Sequence, residues 1–219
     1  MNWKHEKIET NAGLQDAIAP SIISATDIPA CYSEWMLDRL RAGYCIWINP
    51  FNQRKQYISF KKCKLIVFWS KDPTPLIPLL PHIDDMGIAY YFQFTINDYV
   101  AERLEPGLPG LGHRIETFIK LSELLGKERV LWRFDPILFS STLTTERMLE
   151  KIANIASILC HYTDKMVFSF ADIECYKNVQ KNIRLFDNTI IEPSVHEMKS
   201  FVKRLSDSNA GLHKPLVLA

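Results

Sequence analysis

Short apolar runs alternate with longer amphipathic segments through most of the chain, and this alternation limits the fold more than any other feature. The runs are continuous, which is typical of parallel strands covered on both faces, and the segments between them repeat near every 3.6 residues, as helices do. The runs are SIISAT (21–26), YCIWIN (44–49), KLIVFWS (64–70), AYYFQFT (89–95), RVLWRFD (129–135) and MVFSFAD (166–172). The amphipathic segments are 30–42, 75–86, 113–126, 144–162 and 174–185.

This succession predicts an α/β fold with a parallel sheet and right-handed crossovers. We expect one TIM-type (β/α) barrel at residues 20–219, because no Gly-x-Gly-x-x-Gly motif follows the first strand to indicate a dinucleotide-binding sheet. Residues 1–19 alternate apolar and polar positions around Asn11-Ala12-Gly13 and predict an N-terminal β-hairpin.

Three further segments complete the predicted fold. Residues 51–63 indicate an excursion with a short extra strand. Ser194 stands three residues before Glu197, the spacing of a capping box at the start of a helix. KPLVLA (214–219) predicts a last strand without a covering helix, so we expect the barrel to be incomplete or open at that end, or to be covered there by a partner chain or a second copy.

The near-zero net charge argues against partners that are attracted by a large overall charge on the protein. The chain has 26 basic and 25 acidic residues and a net charge of +1, so neither nucleic acid nor an anionic membrane is favoured. Residues 52–64 mix basic and aromatic side chains that could follow phosphates, but a lysine-protected edge hairpin is the commoner structure. No apolar run approaches the roughly 20 residues of a membrane helix, and no apolar leader is present. We expect a cytoplasmic protein.

The five cysteines do not show the spacing of a metal site. Successive cysteines are at least 14 residues apart, so no C-x-x-C motif exists, and we predict no metal ligands. An odd number of cysteines, most of them inside apolar stretches, is typical of reduced thiols in the cytoplasm.

Two apolar runs end in the same way, LIVFWSKDP (65–73) and RVLWRFDP (129–136). In a (β/α) barrel, the residues that follow the strands form one rim, where active sites lie. We therefore predict a ligand site at this rim, made by Ser24, Asp27, Asn49, Trp69, Lys71, Gln93, Thr95, Arg133 and Ser169. The candidate catalytic residues are Asp135 or Asp172 as a general base and Lys71 as an electrostatic stabiliser.

Structural roles for the same residues remain open. Asp before Pro is common at helix starts, since Asp caps the helix and Pro tolerates its first turn. Lys71 and Arg133 need an anion or solvent, which an internal salt bridge, such as Arg133 with Asp172, or an anionic ligand would supply. Trp69 would pack in a core more often than it would stack on a base.

Six ordered stretches between residues 20 and 205 resemble the DUF1848 family of bacterial proteins. They are IISATDIPACYSEWMLDRLRAGYCIWINPFN, LIVFWSKDPTPLIPLL, YYFQFTINDY, LEP, RIETFIKLSELLGKERVLWRFDPIL and VFSFADIECYKNVQKN. The resemblance implies a TIM-type barrel with a C-terminal cysteine cluster similar to that of radical S-adenosylmethionine enzymes. It thus implies an iron–sulfur cluster and S-adenosylmethionine in full-length members.

This chain departs from the family pattern in two places. The cysteine-rich segment is absent and the five cysteines present lack its spacing, so we expect no cofactor in this chain. The family's Ser-Arg-Arg or Ser-Arg-Ser before TDIP is replaced by Ser24-Ala25, which removes a cation from the rim.

Three functions remain in competition. The first is binding of a small anionic or nucleotide-like ligand at the rim. The second is an enzyme that works without the cluster, with Asp135 or Asp172 as its base. The third is a non-catalytic interaction subunit, whose open barrel edge is covered by a partner chain or a second copy.

Overall fold

The structure, a computed structural model, describes residues 5–18, 26–174, 180–181, 190–209 and 216–218. The chain divides into two compact units, residues 1–91 and 92–219. The predicted division into a hairpin at 1–19 and one domain at 20–219 stays a prediction.

The first unit contains a four-stranded sheet in the order β1-β2-β4-β3. β1 and β2 form the predicted antiparallel hairpin, and Gly13 adopts the positive φ of +85° that its turn requires. β2 pairs with β4 in parallel, and β4 pairs with β3 in antiparallel orientation. These strands are β1 (His5–Thr10), β2 (Gly13–Ile18), β3 (Tyr44–Ile48) and β4 (Lys55–Ser59).

The run at 44–49 was predicted as a strand of the parallel sheet. It does form a strand, β3, but the predicted parallel pairing is wrong. Residues 51–63 do contain the extra strand, β4, and a short turn folds that strand back on β3. Asn49 closes this turn, because its side chain accepts a hydrogen bond from the N–H of Phe51 at 2.8 Å and its carbonyl accepts one from Gln53 at 2.8 Å. Local hairpin pairing therefore determines the orientation of β3.

Short helices and a fifth strand complete the first unit. The helices are α1 (Ile28–Cys31), α2 (Ser33–Ala42) and α3 (Leu80–Asp85), and the strand is β5 (Leu65–Ser70). α2 ends at Gly43, whose φ of +77° is the left-handed conformation of a helix C-cap. Beside β5, the N–H of Ala89 donates to the carbonyl of Lys64 at 3.1 Å. Ala89 is the first residue of β6 (Ala89–Thr95).

The second unit has the predicted parallel sheet. β6, β7 (Val130–Ile137), β8 (Met166–Phe170) and β9 (Leu216–Leu218) follow one another in this order, and every neighbouring pair is parallel. Its helices are α4 (Leu111–Leu125), α5 (Thr145–Leu159) and α6 (Val195–Asn209). The predicted capping box is present at the start of α6, where Ser194 and Glu197 exchange hydrogen bonds.

The core of the second unit is aromatic. α4 and α5 contact β7, and the rings of Phe94 on β6 and Phe118 on α4 are 5.5 Å apart. Phe92, Phe94, Phe118 and Phe134 are completely buried. Alternate residues of β6 and β7 therefore point into this core, and the residues between them point to the opposite face of the sheet.

The fold is thus α/β with a parallel sheet, as predicted, but among the described residues neither sheet closes into a barrel. Two predicted elements, the strand at 21–26 and the helix at 174–185, lie largely outside the described residues. In the described part of the chain, every helix is too short or too polar to cross a membrane.

Candidate functional site

Polar side chains lie together on one face of the second unit's sheet, toward the carboxyl ends of its strands. Arg133 and Asp135 are two residues apart on β7, so they share the face opposite to Trp132 and Phe134. Thr95 of β6 lies beside Arg133 in the parallel register. We call Gln93, Arg133, Asp135 and Ser169 the polar face.

The polar face is one hydrogen-bonded chain of side chains. The Nε of Arg133 donates to Oδ2 of Asp135 at 2.8 Å, and its Nη1 donates to Oε1 of Gln93 at 2.7 Å. The hydroxyl of Ser169 donates to the other carboxylate oxygen of Asp135. The side chains of Arg133 and Asp135 are 13% and 30% exposed, so the ion pair is half-buried and still reaches solvent. This arrangement can present a donor-rich cation and an acceptor to a ligand.

Asn97, which lies two residues beyond the end of the neighbouring strand β6, holds the backbone of Asp135. Its Oδ1 accepts from the N–H of Asp135 at 3.0 Å, and its Nδ2 donates to the carbonyl of Asp135 at 2.9 Å. The N–H of Ile96, one residue earlier, donates to the carbonyl of Arg133 at 3.0 Å. The amide side chain of Asn97 therefore continues the hydrogen-bond ladder of β6 and β7 after the backbone of β6 has turned away. Asn97 itself is completely buried.

A buried arginine fixes the segment that follows β6. Arg114, on α4, is 2% exposed and donates from Nη2 to the carbonyl of Asn97 at 2.9 Å and from Nε to that of Pro109 at 3.1 Å. Its Nη1 lies 3.9 Å from Oε2 of Glu105, and Oε1 of Glu105 accepts from Asn97 at 3.3 Å. These contacts anchor both ends of the loop and, through Asn97, the position of Asp135.

Tyr99 makes a second connection between this loop and the end of β7. Its hydroxyl donates to the carbonyl of Pro136 at 2.6 Å and accepts from the N–H of Leu138 at 3.2 Å. Burial raises the pKa of the Tyr99 phenol well above its ordinary value. The phenol therefore stays protonated and acts as a structural donor.

The other predicted site residues are distributed over both units. Asp27 caps α1 by accepting from the N–H of Ala30 at 3.1 Å, and its second oxygen accepts from the N–H of Lys71 at 2.8 Å. Lys71 is half-buried directly after β5, and Trp69 is exposed on β5. Asp27 thus has the helix-capping role that was the structural alternative.

The remaining predicted residues are placed as follows. Thr95 is buried in the second unit, and Asp172 is exposed beyond the end of β8. Ser24 lies outside the described residues. Arg133 does have the internal salt bridge that was one of the open alternatives, and it forms this bridge with Asp135. The expectation that Lys71 and Arg133 share one site stays a prediction.

Four residues around Asp135 were not predicted as site residues from the sequence, namely Asn97, Tyr99, Glu105 and Arg114. Asn97 and Tyr99 follow β6 directly, in TINDY, so they stood at a predicted strand end and could have been included. Arg114 has no comparable signal, because it does not follow a predicted strand and lies within the predicted helix at 113–126.

The described residues do not fit the iron–sulfur cluster that the family resemblance implies. Among them, no three His, Cys, Asp or Glu side chains come together as metal ligands. The four described cysteines are free and differ in burial, from exposed Cys31 to buried Cys45.

Comparisons with known proteins identify the family. The family model "Domain of unknown function (DUF1848)" matches residues 21–214. No curated protein matches the chain. A solved structure described as "Spore photoproduct lyase complexed with dinucleoside spore photoproduct" aligns with 97% of this chain and 78% of its own, at 10% identity and a TM-score of 0.49. Because the family model covers most of its length, the chain belongs to the DUF1848 family.

Proposed function

We propose that this chain binds a small ligand with an anionic group, such as a phosphate or a nucleotide-like molecule, at the polar face. The observation that carries the proposal is the half-buried hydrogen-bond network of Gln93, Arg133, Asp135 and Ser169 at the carboxyl ends of parallel strands. Ligands of open α/β sheets and of (β/α) barrels bind at that end. The proposal includes an open TIM-type arrangement of the chain.

Arg133 supplies the recognition of the anion. A guanidinium offers donors in a rigid plane that match phosphate or carboxylate oxygens, and Gln93 orients that plane by accepting from Nη1. Asp135 balances the charge of Arg133 when no ligand is bound. A ligand anion therefore competes with Asp135 for the same cation, and the affinity depends on how strongly Asp135 holds it.

Titration with AMP and with inorganic phosphate tests this proposal. Arg133→Gln removes the cation at the carboxyl end of β7, and Arg129→Gln removes one just before the amino end of the same strand. We expect Arg133→Gln to weaken AMP binding by about tenfold or more and Arg129→Gln to leave it unchanged, as measured by isothermal titration calorimetry. Equal affinity in both variants, or no binding of either anion to the native chain, would refute an anion site at the polar face.

The catalytic roles of Asp135 or Asp172 as a base and of Lys71 as a stabiliser stay predictions. Asp135 already accepts two hydrogen bonds, from Arg133 and Ser169. A carboxylate held in this way is fixed in position, as a general base must be.

A second candidate function, as an interaction subunit, is supported by an apolar stripe on β5. Leu65, Val67 and Trp69 are 54%, 40% and 52% exposed and occupy alternate positions, so they share one face of the strand, whereas Phe68 is buried on the other. Contiguous exposed apolar surface is typical of a contact with another protein.

Light scattering during size-exclusion chromatography tests this second function. If a second copy covers the stripe, Val67→Lys should convert a dimer into a monomer. Phe51→Lys is the matched control, because Phe51 is an exposed apolar residue at the β3–β4 turn and is not part of the β5 stripe. A native chain that is monomeric at all concentrations would refute self-association through β5.

A further inference from the structure

A cavity of about 540 Å³, partly open to solvent, lies on the second unit, between the segment after β6 and the segment after β7. Cavities of roughly 300–1,000 Å³ are typical of small-molecule sites. No residue of the polar face contributes to its lining. It is lined by Ala101, Glu102, Leu104, Thr142, Leu143, Arg147 and Ile190.

Among the described residues that line it, the cavity combines an apolar wall with one acidic and one basic side chain. Leu104, Leu143 and Ile190 supply the apolar wall. The Nε of Arg147 lies 3.9 Å from Oε1 of Glu102, which is an ion-pair separation but longer than a hydrogen bond. Opposite charges of the protein thus face the cavity side by side without a direct hydrogen bond between them.

The two charged groups are held differently. Glu102 is fixed from behind, because its Oε2 accepts from the Nζ of buried Lys151 at 3.3 Å, and Lys151 also donates to the carbonyl of Asp98 at 2.7 Å. Arg147, on α5, has a half-exposed side chain. Glu102 therefore offers a rigid acceptor, and Arg147 offers donors that can adjust to a ligand.

The described side chains that form ion pairs at the cavity balance in charge, with Asp98 and Glu102 against Arg147 and Lys151. A ligand with a net charge would leave one charge uncompensated in a half-buried place, which is unfavourable. A zwitterion would not, because its cationic group can bind Glu102 while its anionic group binds Arg147. The short separation of these side chains favours a ligand whose two charged groups are attached to the same carbon atom, as in an α-amino acid.

We propose that this cavity binds an α-amino acid with an apolar side chain. The ammonium group donates to Oε1 of Glu102, the carboxylate accepts from Arg147, and the side chain packs on Leu104, Leu143 and Ile190. This site is separate from the proposed anion site and does not depend on it.

Three related probes with the same phenyl side chain separate the contributions of the two charges. L-Phenylalanine has both groups, phenethylamine lacks the carboxylate, and 3-phenylpropionate lacks the amine. Titrations of the full chain followed by ¹H–¹⁵N NMR should show binding of phenylalanine, with shifts at residues 101–104 and 142–147. The other two probes should bind about tenfold more weakly or not at all.

Arg147→Gln should weaken phenylalanine binding by about tenfold without weakening phenethylamine, whose ammonium group no longer competes with Arg147 for Glu102. Arg204→Gln is the matched control, because Arg204 is also a half-exposed arginine paired with a glutamate, Glu146, outside the cavity. Glu102→Gln should weaken phenylalanine and strengthen 3-phenylpropionate, because the variant lacks the charge that competes for Arg147. Equal affinity for all three probes, shifts confined to other parts of the chain, or unchanged binding in Arg147→Gln would overturn the proposal.

Discussion

The side-chain amide of Asn97 pairs with both backbone groups of Asp135, at 3.0 Å to its N–H and 2.9 Å to its carbonyl. The asparagine amide carries its donor and its acceptor on separate atoms, as a peptide group does, so it can replace a peptide group in the ladder between parallel strands. This relationship sets the position of the carboxylate that balances Arg133.

Replacement of Asn97 should destabilise the second unit. Asn97→Ala removes the hydrogen bonds to two part-buried backbone groups of Asp135, and we expect the free energy of unfolding to fall by about 2–4 kcal/mol. Asn97→Asp should also destabilise, because an aspartate cannot donate to Asp135 and would face Glu105. Chemical denaturation measures both. Asn52→Ala, which removes an exposed turn hydrogen bond to the N–H of Arg54, should cost about 1 kcal/mol or less. Similar losses at both positions would contradict the role given to Asn97.

Neutralisation of Asp135 should strengthen anion binding. Asp135→Asn keeps the size of the side chain and a hydrogen bond with Ser169 but removes the charge that competes for Arg133. We expect AMP to bind roughly two- to fivefold more tightly, the contribution typical of one partly exposed ion pair. Calorimetric titration beside Ser169→Ala, which retains the charge of Asp135, checks this. Weaker binding in Asp135→Asn would show that Asp135 orients Arg133 rather than competing with the ligand.

The capping box of α6 predicts that the stability of the fold depends on pH. Hydrogen bonds from the side chain and the backbone of Ser194 hold the pKa of Glu197 below its ordinary value of 4.5. Because the folded-state pKa is lowered, the stabilisation is present above 4.5 and is lost as the pH falls through the folded value. Ser194→Ala should raise the pKa of Glu197 toward 4.5 in a carboxyl-carbon NMR titration. Glu6, whose pKa is lowered by Ser59 and Lys62, should not move in the same spectra.

The glycine that ends α2 should not tolerate a side chain. Gly43 has a positive φ, so Gly43→Ala should lower the free energy of unfolding by about 1 kcal/mol. Gly112 lies inside α4, where its φ is not positive and nothing stands within 4 Å of an added Cβ. Gly112→Ala should therefore be neutral or stabilising. Thermal unfolding compares the two variants, and an equal loss of stability in both would refute this assignment.

The sequence predicted the second unit's sheet better than the first unit's. The run 89–95 coincides with β6, since a continuous apolar stretch bounded by polar residues has few alternatives to a buried strand. The run 44–49 has the same apolar character, yet β3 pairs in antiparallel orientation with β4. Its pairing depends on the turn at Asn49, and a run of apolar residues carries no information about its partner.

The candidate site residues could be predicted where their position depends only on the ends of parallel strands. Gln93, Arg133, Asp135 and Ser169 were expected at one rim because parallel strands end at one edge. Their hydrogen bonds were not predicted, since the salt bridge suggested for Arg133 was with Asp172 and the structure has it with Asp135. Asn97 was missed because asparagine after a strand usually indicates a turn. Whether such an amide is exposed or completely buried depends on Arg114 and Glu105, which contact it only in the folded chain.

The buried phenol of Tyr99 also provides an optical signal. In the folded chain it stays protonated at the ordinary tyrosine pKa of 10. Because the folded-state pKa is raised, stability is retained below that value and decreases as the solution becomes more alkaline. The ultraviolet absorbance of the Tyr99 phenolate would therefore develop with the loss of the fold, so that a single chromophore reports when the end of β7 separates from its loop.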